Sequence, residues 1–254
     1  MPPRHSAPPI LCYVTDRLAL DVPAGASREA ALLARIMDAV DAGLDWIQMR
    51  EKDLDAGSFL DLARAAVGDA AAASRTAQGD IAYGPSSDST SNRIPIRILV
   101  NDRLDVACAA GAGGVHLGEE SLPIREVVEN IARWKRAAGH EDFLVGASCH
   151  SVEGARLATG SGADYIFFGP VFATPSKASF GPPQGLAPLA EICRSVSIPV
   201  LAIGGITANN AAACLEAGAA GIAAIRLFQT WFQRGGGIES LGAQIAKFRG
   251  EISH

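Results

Sequence analysis

Short apolar runs alternate with longer amphipathic stretches along most of the chain. Eight of these runs have the length of buried parallel strands: Leu11–Thr15, Trp46–Arg50, Ile96–Val100, Gly114–Leu117, Phe143–Ser148, Tyr165–Phe168, Pro199–Ile203 and Gly221–Ile225. The stretches between them predict helices, among them Arg28–Ala42, Gly57–Ala73, Ile124–Ala137, Val152–Thr159 and a last one over Ile238–Phe248. Strands that alternate with helices predict a parallel sheet.

Glycine recurs where a predicted helix gives way to the next strand. The pairs Ala42-Gly43, Ala110-Gly111, Ser161-Gly162 and Ala217-Gly218 each precede an apolar strand. A glycine at this position can end a helix in the left-handed conformation. Eight βα units in about 250 residues predict an α/β fold, a single (β/α)8 TIM barrel. A doubly wound open sheet is the alternative, but no G-x-G-x-x-G follows the first strand.

Two segments do not share this alternation. Residues 1–9 contain a basic residue but no apolar core, so we interpret them as a flexible leader rather than a signal peptide. The TIM-barrel domain then spans 10–250. Residues 75–93 are rich in Ser, Gly, Asp and Asn and lie between the second predicted helix and the third strand. Such αβ connections lie on the N-terminal face of a barrel, so we expect a surface insertion away from the chemistry.

Composition narrows the classes of partner. The 254 residues are 48% hydrophobic and 19% charged, which is ample for a large core, and the net charge is −5. The negative charge argues against nucleic acid as a partner. No apolar run reaches the length of a membrane span. The five cysteines are scattered without a CxxC pair, which favours the reducing cytoplasm and disfavours zinc.

The end of the chain contains a candidate anion pocket. Gly204-Gly205 interrupts an apolar strand ahead of a predicted helix that begins near Ala211, and Thr207 with Asn209 offers side chains that could cap this helix. Arg226 follows the next strand. Glycine-rich turns and helix N-termini present free N–H groups, and the loops after strands 7 and 8 of a barrel commonly hold a substrate phosphate. The sequence therefore predicts phosphate binding here.

Further cations occur where other strands end. Arg50 and Lys52 follow the second strand, and Lys177 lies in the loop after the sixth. Because the strand ends of a barrel share one mouth, these groups would lie close to Arg226. They exceed the need of one monophosphate, so we expect small phosphorylated substrates, a diphosphate together with a second phosphate.

Three other polar side chains near the strand ends need interpretation, and two of them have alternatives. Asp102 among these cations predicts a Mg²⁺ that bridges phosphate oxygens, although a salt bridge to Arg103 or a helix N-cap is the alternative. His116 lies within an apolar strand and is interpreted as a packed barrel residue. His150 lies closer to a strand end, and structural and functional roles both remain open.

The strand-end motifs, in this order, resemble the thiamin phosphate synthase family and its relative in the same superfamily, the thiazole tautomerases. The matching motifs are Tyr13-Val14-Thr15-Asp16, Gln48-x-Arg50-Glu51-Lys52, Asn101-Asp102, Gly114-Val115-His116-Leu117-Gly118, Gly146-x-Ser148-x-His150-Ser151, Gly169-Pro170-Val171-Phe172-x-Thr174-x-Ser176-Lys177 and Ile203-Gly204-Gly205-Ile206. The match covers about residues 10 to 230. It implies transfer of a hydroxymethylpyrimidine group from its diphosphate to thiazole phosphate, with release of diphosphate.

The resemblance also implies roles for individual residues. The pyrimidine diphosphate would be held by Gln48, Arg50, Lys52, Asn101 and Lys177. Thiazole phosphate would be held by Thr174, Ser176 and the amides of Gly204 and Gly205, with Arg226 nearby. Asp102 would bind Mg²⁺, and Ser148 would lie at the reacting centre together with Arg50 and Lys177. The oligomeric state, a homo-oligomer included, is left open.

Two positions depart from the synthase pattern. Ser121 stands where the synthases usually carry an aspartate that is a second Mg²⁺ ligand, so Glu119 or Glu120 would have to replace it. Arg226 stands where they usually carry serine. Two alternatives therefore stay open: a thiazole tautomerase acting on carboxythiazole phosphate with His150 as acid and base, and a non-catalytic binder of thiazole or thiamin phosphate.

Overall fold

A computed structural model describes residues 8–79, 96–174, 182–233 and 238–252. Within this part of the chain, eight parallel strands close into a barrel in sequence order, β1 to β8. They are β1 Ile10–Val14, β2 Trp46–Met49, β3 Arg97–Asn101, β4 Gly114–Leu117, β5 Leu144–Cys149, β6 Tyr165–Phe168, β7 Val200–Ile203 and β8 Gly221–Ala224. The predicted (β/α)8 barrel is confirmed, and the open sheet is excluded by the pairing of β1 with β8.

Helices follow the strands around the barrel. They are α1 Arg28–Asp41, α2 Ala56–Gly79, α3 Leu104–Ala110, α4 Ile124–Ala138, α5 Val152–Gly160, α6 Leu186–Ser195, α7 Ala211–Glu216, α8 Arg226–Gln233 and α9 Ile238–Ile252. A short 3-10 helix, Arg17–Ala19, follows β1. None of the helices in the described residues is long and apolar enough to cross a lipid bilayer.

The repeated glycines turn the chain from helix to strand. Gly43, Gly111, Gly162 and Gly218 have φ angles of 81°, 66°, 93° and 103°. These positive values lie in a region that residues with a Cβ rarely adopt. The glycine spacing that predicted the βα units therefore reflects a conformational requirement at each turn.

Two apolar layers make up the core. The larger one lies between the strands and the helices and includes Met49, Val115 and Ile166. The smaller one fills the barrel interior with Cys12, Val14, Leu99, Tyr165, Phe167, Leu201 and Ala223. Successive residues of a strand face opposite sides, so every second residue points into the barrel. Polar residues that continue this inward series at the C-terminal strand ends therefore face the mouth of the barrel.

Several predicted boundaries need correction. Most strand limits move by one residue, and α2 continues through Gly79, into the segment assigned to the insertion. The rest of that insertion, residues 80–93, lies outside the described residues. The capping prediction for α7 was wrong: Asn210, not Asn209, precedes the helix, and its carbonyl oxygen Oδ1 accepts from the N–H of Thr207 at 2.8 Å.

Candidate active site at the barrel mouth

A chain of polar side chains joins the ends of β2 and β3. Gln48 is buried and donates through Nε2 to Asn101 Oδ1 at 2.8 Å. Asn101 in turn donates through Nδ2 to Asp102 Oδ2 at 2.6 Å. Each donor fixes the orientation of the next group, so three of the predicted site residues form one connected unit.

Asp102 is the centre of this unit. Its Oδ1 accepts from the N–H of Gly118 at 2.9 Å and from the hydroxyl of Ser121. Lys52 Nζ lies 3.9 Å from its Oδ2. Partial burial acts to raise the pKa of Asp102, but the hydrogen bonds from Ser121 and Gly118 and the charge of Lys52 lower it overall. Asp102 is therefore an ionised carboxylate held at the mouth.

The other interpretations of Asp102 do not match its contacts. Arg103 pairs with Asp105, through Nη2 to Oδ2 at 2.5 Å. The helix that follows begins at Leu104, and Arg103, not Asp102, occupies its N-cap position. Asp102 itself has a φ of 61°, which is unusual for a residue with a side chain. Its carboxylate instead accepts hydrogen bonds from Gly118 and Ser121 in the loop after β4. The sequence analysis predicts Mg²⁺ at this carboxylate.

The oxygen groups around Asp102 suit Mg²⁺. This ion takes hard oxygen ligands, keeps several waters, and is commonly bound by one or two carboxylates together with substrate phosphates. Asp102 supplies one carboxylate and Ser121 a hydroxyl. No group of three or more His, Cys, Asp or Glu side chains among the described residues could enclose a metal by itself. Water and substrate oxygens would therefore complete the coordination of a Mg²⁺ bound at Asp102.

The neighbouring glutamates do not replace the missing aspartate in this structure. Glu119 and Glu120 are exposed, and Glu119 Oε1 lies 4.0 Å from His150 Nε2. Ser121 occupies the position beside Asp102 instead. Metal ligation by Glu120 stays a prediction.

Ser148 is held from inside the barrel. Its Oγ lies 2.9 Å from His116 Nε2, and His116 Nδ1 lies 3.1 Å from the Tyr165 hydroxyl. His116 is 1% exposed, which confirms that it is a packed barrel residue. Gly146 makes room for the tyrosine, because a Cβ there would lie 2.0 Å from Tyr165 Cζ. The link from His116 to Ser148 was not predicted, although strand alternation places both side chains inside.

His150 is oriented by the backbone. Its Nδ1 contacts the carbonyl oxygen of Gly169. A carbonyl oxygen can only accept, so Nδ1 carries the proton, and Nε2 bears the lone pair when the ring is neutral. The ring is partly exposed, with Nε2 on the side of Glu119. This arrangement keeps both predicted roles of His150 open.

The glycine turn after β7 lies tightly against the loop after β6. Gly204 and Gly205 have φ angles of 93° and 66°. A Cβ on Gly204 would lie 2.6 Å from Pro170 Cα, and one on Gly205 would lie 2.8 Å from Phe172 Cβ. Both sterics and backbone conformation therefore require glycine here. Phosphate binding by their amides stays a prediction.

The remaining predicted residues are only partly located. Thr174 is the last residue of the loop after β6 that is described before the gap at 175–181, and Ser176 and Lys177 lie in that gap. Arg226 is exposed and begins α8 directly beyond β8. The sequence analysis predicts that Arg226 lies at a strand end beside the glycine turn. The pairing of β7 with β8 agrees with this, because the glycine turn follows β7 and Arg226 follows β8.

Comparison with known proteins gives a consistent result. Residues 89–228 match a family described as thiamine monophosphate synthase. A putative thiamine-phosphate synthase of Geobacter sulfurreducens is 42% identical over 194 residues, which cover 76% of this chain and 78% of that protein. A thiamine-phosphate synthase of a Roseiflexus species is 38% identical over 216 residues, or 85% and 76% of the two chains. The solved thiamine phosphate pyrophosphorylase of Pyrococcus furiosus superposes with a TM-score of 0.68 at 29% identity and covers 96% of both chains.

Proposed function

The chain belongs to the thiamine monophosphate synthase family, and from this we propose that it is a transferase of thiamin biosynthesis. It moves a hydroxymethylpyrimidine group from its diphosphate to thiazole phosphate and releases diphosphate. The observation that carries the proposal is the connected unit of Gln48, Asn101 and Asp102 beside Lys52. Such a unit suits a diphosphate that binds together with a hard cation. A tautomerase has no diphosphate to bind.

The chemistry demands little covalent participation from the protein. The bond from the pyrimidine methylene carbon to the diphosphate oxygen breaks, and its electron pair leaves with diphosphate. The thiazole nitrogen supplies the pair for the new carbon–nitrogen bond. The electron-rich aminopyrimidine stabilises positive charge that develops on the carbon. The main task of the protein is therefore to hold the two substrates in line and to stabilise the leaving group.

We assign the diphosphate to the mouth above β2 and β3. Arg50 and Lys52 neutralise its charge, Asn101 orients it, and Lys177 supplies a further positive charge. Mg²⁺, when bound at Asp102, would neutralise further negative charge on the diphosphate.

We assign thiazole phosphate to the loops after β6, β7 and β8. The amides of Gly204 and Gly205 lie there, and Thr174, Ser176 and Arg226 supply the polar side chains. Ser148 lies between the two halves of the mouth, and its contact with the buried His116 holds it there.

The cellular setting follows from the same proposal. All five cysteines are free thiols. A biosynthetic transferase with scattered thiols suits the reducing cytoplasm, where we place it.

The test is product formation with both substrates present. The purified protein should release diphosphate and form thiamin phosphate with Mg²⁺, and EDTA should abolish both. Lys177→Ala should lower turnover about 100-fold or more, because a charge on the leaving group loses its partner. Lys247→Ala, on the exposed side of α9, is the matched control and should leave the rate unchanged.

The tautomerase alternative is favoured by one observation, the orientation of His150. With Nδ1 directed to a carbonyl, Nε2 could exchange a proton with a substrate. Metal-independent isomerisation of carboxythiazole phosphate, lost in His150→Ala and without diphosphate release, would establish this activity and refute the synthase proposal. Binding of thiamin phosphate without either reaction would indicate the non-catalytic binder.

A further inference from the structure

A buried hydrogen-bond relay lies below the proposed diphosphate ligands. The backbone N–H of Arg50 donates to Thr15 Oγ1 at 2.9 Å. The Thr15 hydroxyl then donates its own proton to Glu51 Oε1. Thr15 is 0% exposed and Glu51 is 4% exposed, so water does not compete for these bonds. The relay therefore fastens the end of β2 to the end of β1.

The second carboxylate oxygen extends the relay to the loop after β1. Glu51 Oε2 accepts from the backbone N–H of Arg17 at 3.0 Å and lies 3.6 Å from Arg17 Nη1. The guanidinium of Arg17 also binds both carboxylate oxygens of Asp53, at 2.7 and 2.8 Å. Arg17 thus holds Glu51 and Asp53, one residue on either side of Lys52.

This pairing separates the charges of the loop. Glu51 stands between two cations in sequence, yet its partner is Arg17, from another loop. In the described part of the chain no ion pair involves Arg50, and the side chain of Lys52 is 62% exposed. Because Glu51 pairs with Arg17, it neutralises neither neighbouring cation: Arg50 is left for an anion at the mouth, and Lys52 lies exposed there, 3.9 Å from Asp102 Oδ2.

We propose that Thr15, Glu51 and Arg17 are positioning residues for the diphosphate, an inference that rests on the function proposed above. They do not touch the substrate, because they are buried beneath the loop. They fix the backbone of residues 50–53 so that the flanking cations are directed to one anion. A prepositioned cation pair binds diphosphate without the entropy loss of ordering the loop.

The direction of the hydrogen bonds gives a specific expectation. The Thr15 hydroxyl accepts from one group and donates to another, so a hydroxyl is required and a methyl group cannot replace it. Thr15→Val keeps the shape of the side chain but leaves the Arg50 N–H and the Glu51 carboxylate each without one partner. Thr15→Ser keeps the hydroxyl. The first change should impair diphosphate binding, and the second should preserve it.

The readout is binding rather than turnover. Isothermal titration with inorganic diphosphate and Mg²⁺ should show a Kd about tenfold higher for Thr15→Val than for wild type, from the two impaired hydrogen bonds. Thr15→Ser should remain within about twofold. In steady-state assays the KM for the pyrimidine diphosphate should rise with the Kd, while the KM for thiazole phosphate stays unchanged. A merely structural role would move both KM values together.

The outcomes separate this inference from the proposed activity. Unchanged diphosphate binding in a folded Thr15→Val protein overturns the inference even where the wild type is an active synthase. A wild type that binds diphosphate but forms no thiamin phosphate refutes the proposed activity, and the binding comparison still decides the inference. A wild type that binds no diphosphate overturns both. If Thr15→Val does not fold, Glu51→Gln tests the same relay, since it keeps one acceptor oxygen and the volume.

Discussion

Replacing Ser121 by aspartate should strengthen Mg²⁺ binding. The Ser121 hydroxyl donates to Asp102 Oδ1, so a carboxylate at position 121 would lie next to that of Asp102. Two oxygens bound to one Mg²⁺ at right angles lie about 3 Å apart, which is close to hydrogen-bond distance. The position therefore has the right geometry for a second ligand, and the native residue supplies an uncharged oxygen there.

The size of the effect follows from the added charge. A unit charge about 4 Å from another contributes roughly 4 kcal/mol at an effective dielectric constant of about 20. Repulsion between the two carboxylates and the dehydration of the ion offset most of this gain. We expect about 1.4 kcal/mol to remain, or a roughly tenfold lower Mg²⁺ concentration for half-maximal diphosphate release. Without metal, the like charges should lower Tm by roughly 2–4 °C.

Ser121→Asn provides the control, because asparagine has the shape of aspartate without its charge. Diphosphate release and Tm are measured against Mg²⁺ concentration for wild type and both variants. The reasoning predicts that Ser121→Asp alone gains Mg²⁺-dependent stabilisation. Equal Mg²⁺ requirements in the two variants, or no metal-dependent change of Tm in any of the proteins, would refute a metal site beside Asp102.

Other predictions concern stability. Gly146→Ala should destabilise the fold by about 3 kcal/mol, because the new Cβ would overlap the buried ring of Tyr165. Gly160→Ala is the control and should be tolerated, because a Cβ there would have no atom within 4 Å. Thermal unfolding of the two variants measures the difference. Arg249→Met should cost about 2 kcal/mol, measured by urea unfolding, since its Nη2 binds Asp45 at 2.7 Å and ties α9 to the start of β2; an unchanged midpoint would contradict this. Burial raises the pKa of Glu51 against the lowering effect of its hydrogen bonds, so the folded state takes up this proton at a higher pH than the unfolded chain. The stability of wild type relative to Glu51→Gln should therefore increase as pH falls from 7 toward about 4.5 and then level off, and parallel curves for the two proteins would exclude the shift.

The barrel could be predicted from the sequence because each strand and each turn leaves a signal within a few neighbouring residues. Buried parallel strands appear as apolar runs, and the left-handed turns after helices require glycine at positions such as Gly43 and Gly162. The ends of the elements were less certain: α2 continues to Gly79, since nothing in Arg75–Gly79 stops a helix before the glycine. Periodicity gives the type of an element more reliably than its limits.

The partners of the polar residues could not be read from the sequence alone. Asp102 had a near candidate in Arg103, but Arg103 binds Asp105 and Asp102 binds Ser121, nineteen positions away. Glu51 lies between two cations and pairs with neither. These pairings depend on how loops meet across the barrel mouth, and neighbours in sequence do not determine them.

The barrel interior explains why these polar groups can be held so firmly. Apolar side chains such as Leu99 and Leu201 are fully buried in it. His116 and Gln48 are buried with these side chains, and each makes a hydrogen bond toward a residue of the mouth, Ser148 and Asn101 respectively. A buried polar group without a partner is costly, so the packing around His116 and Gln48 enforces these bonds. The orientation of the mouth is thus set by the core, and binding of the substrates need not create it.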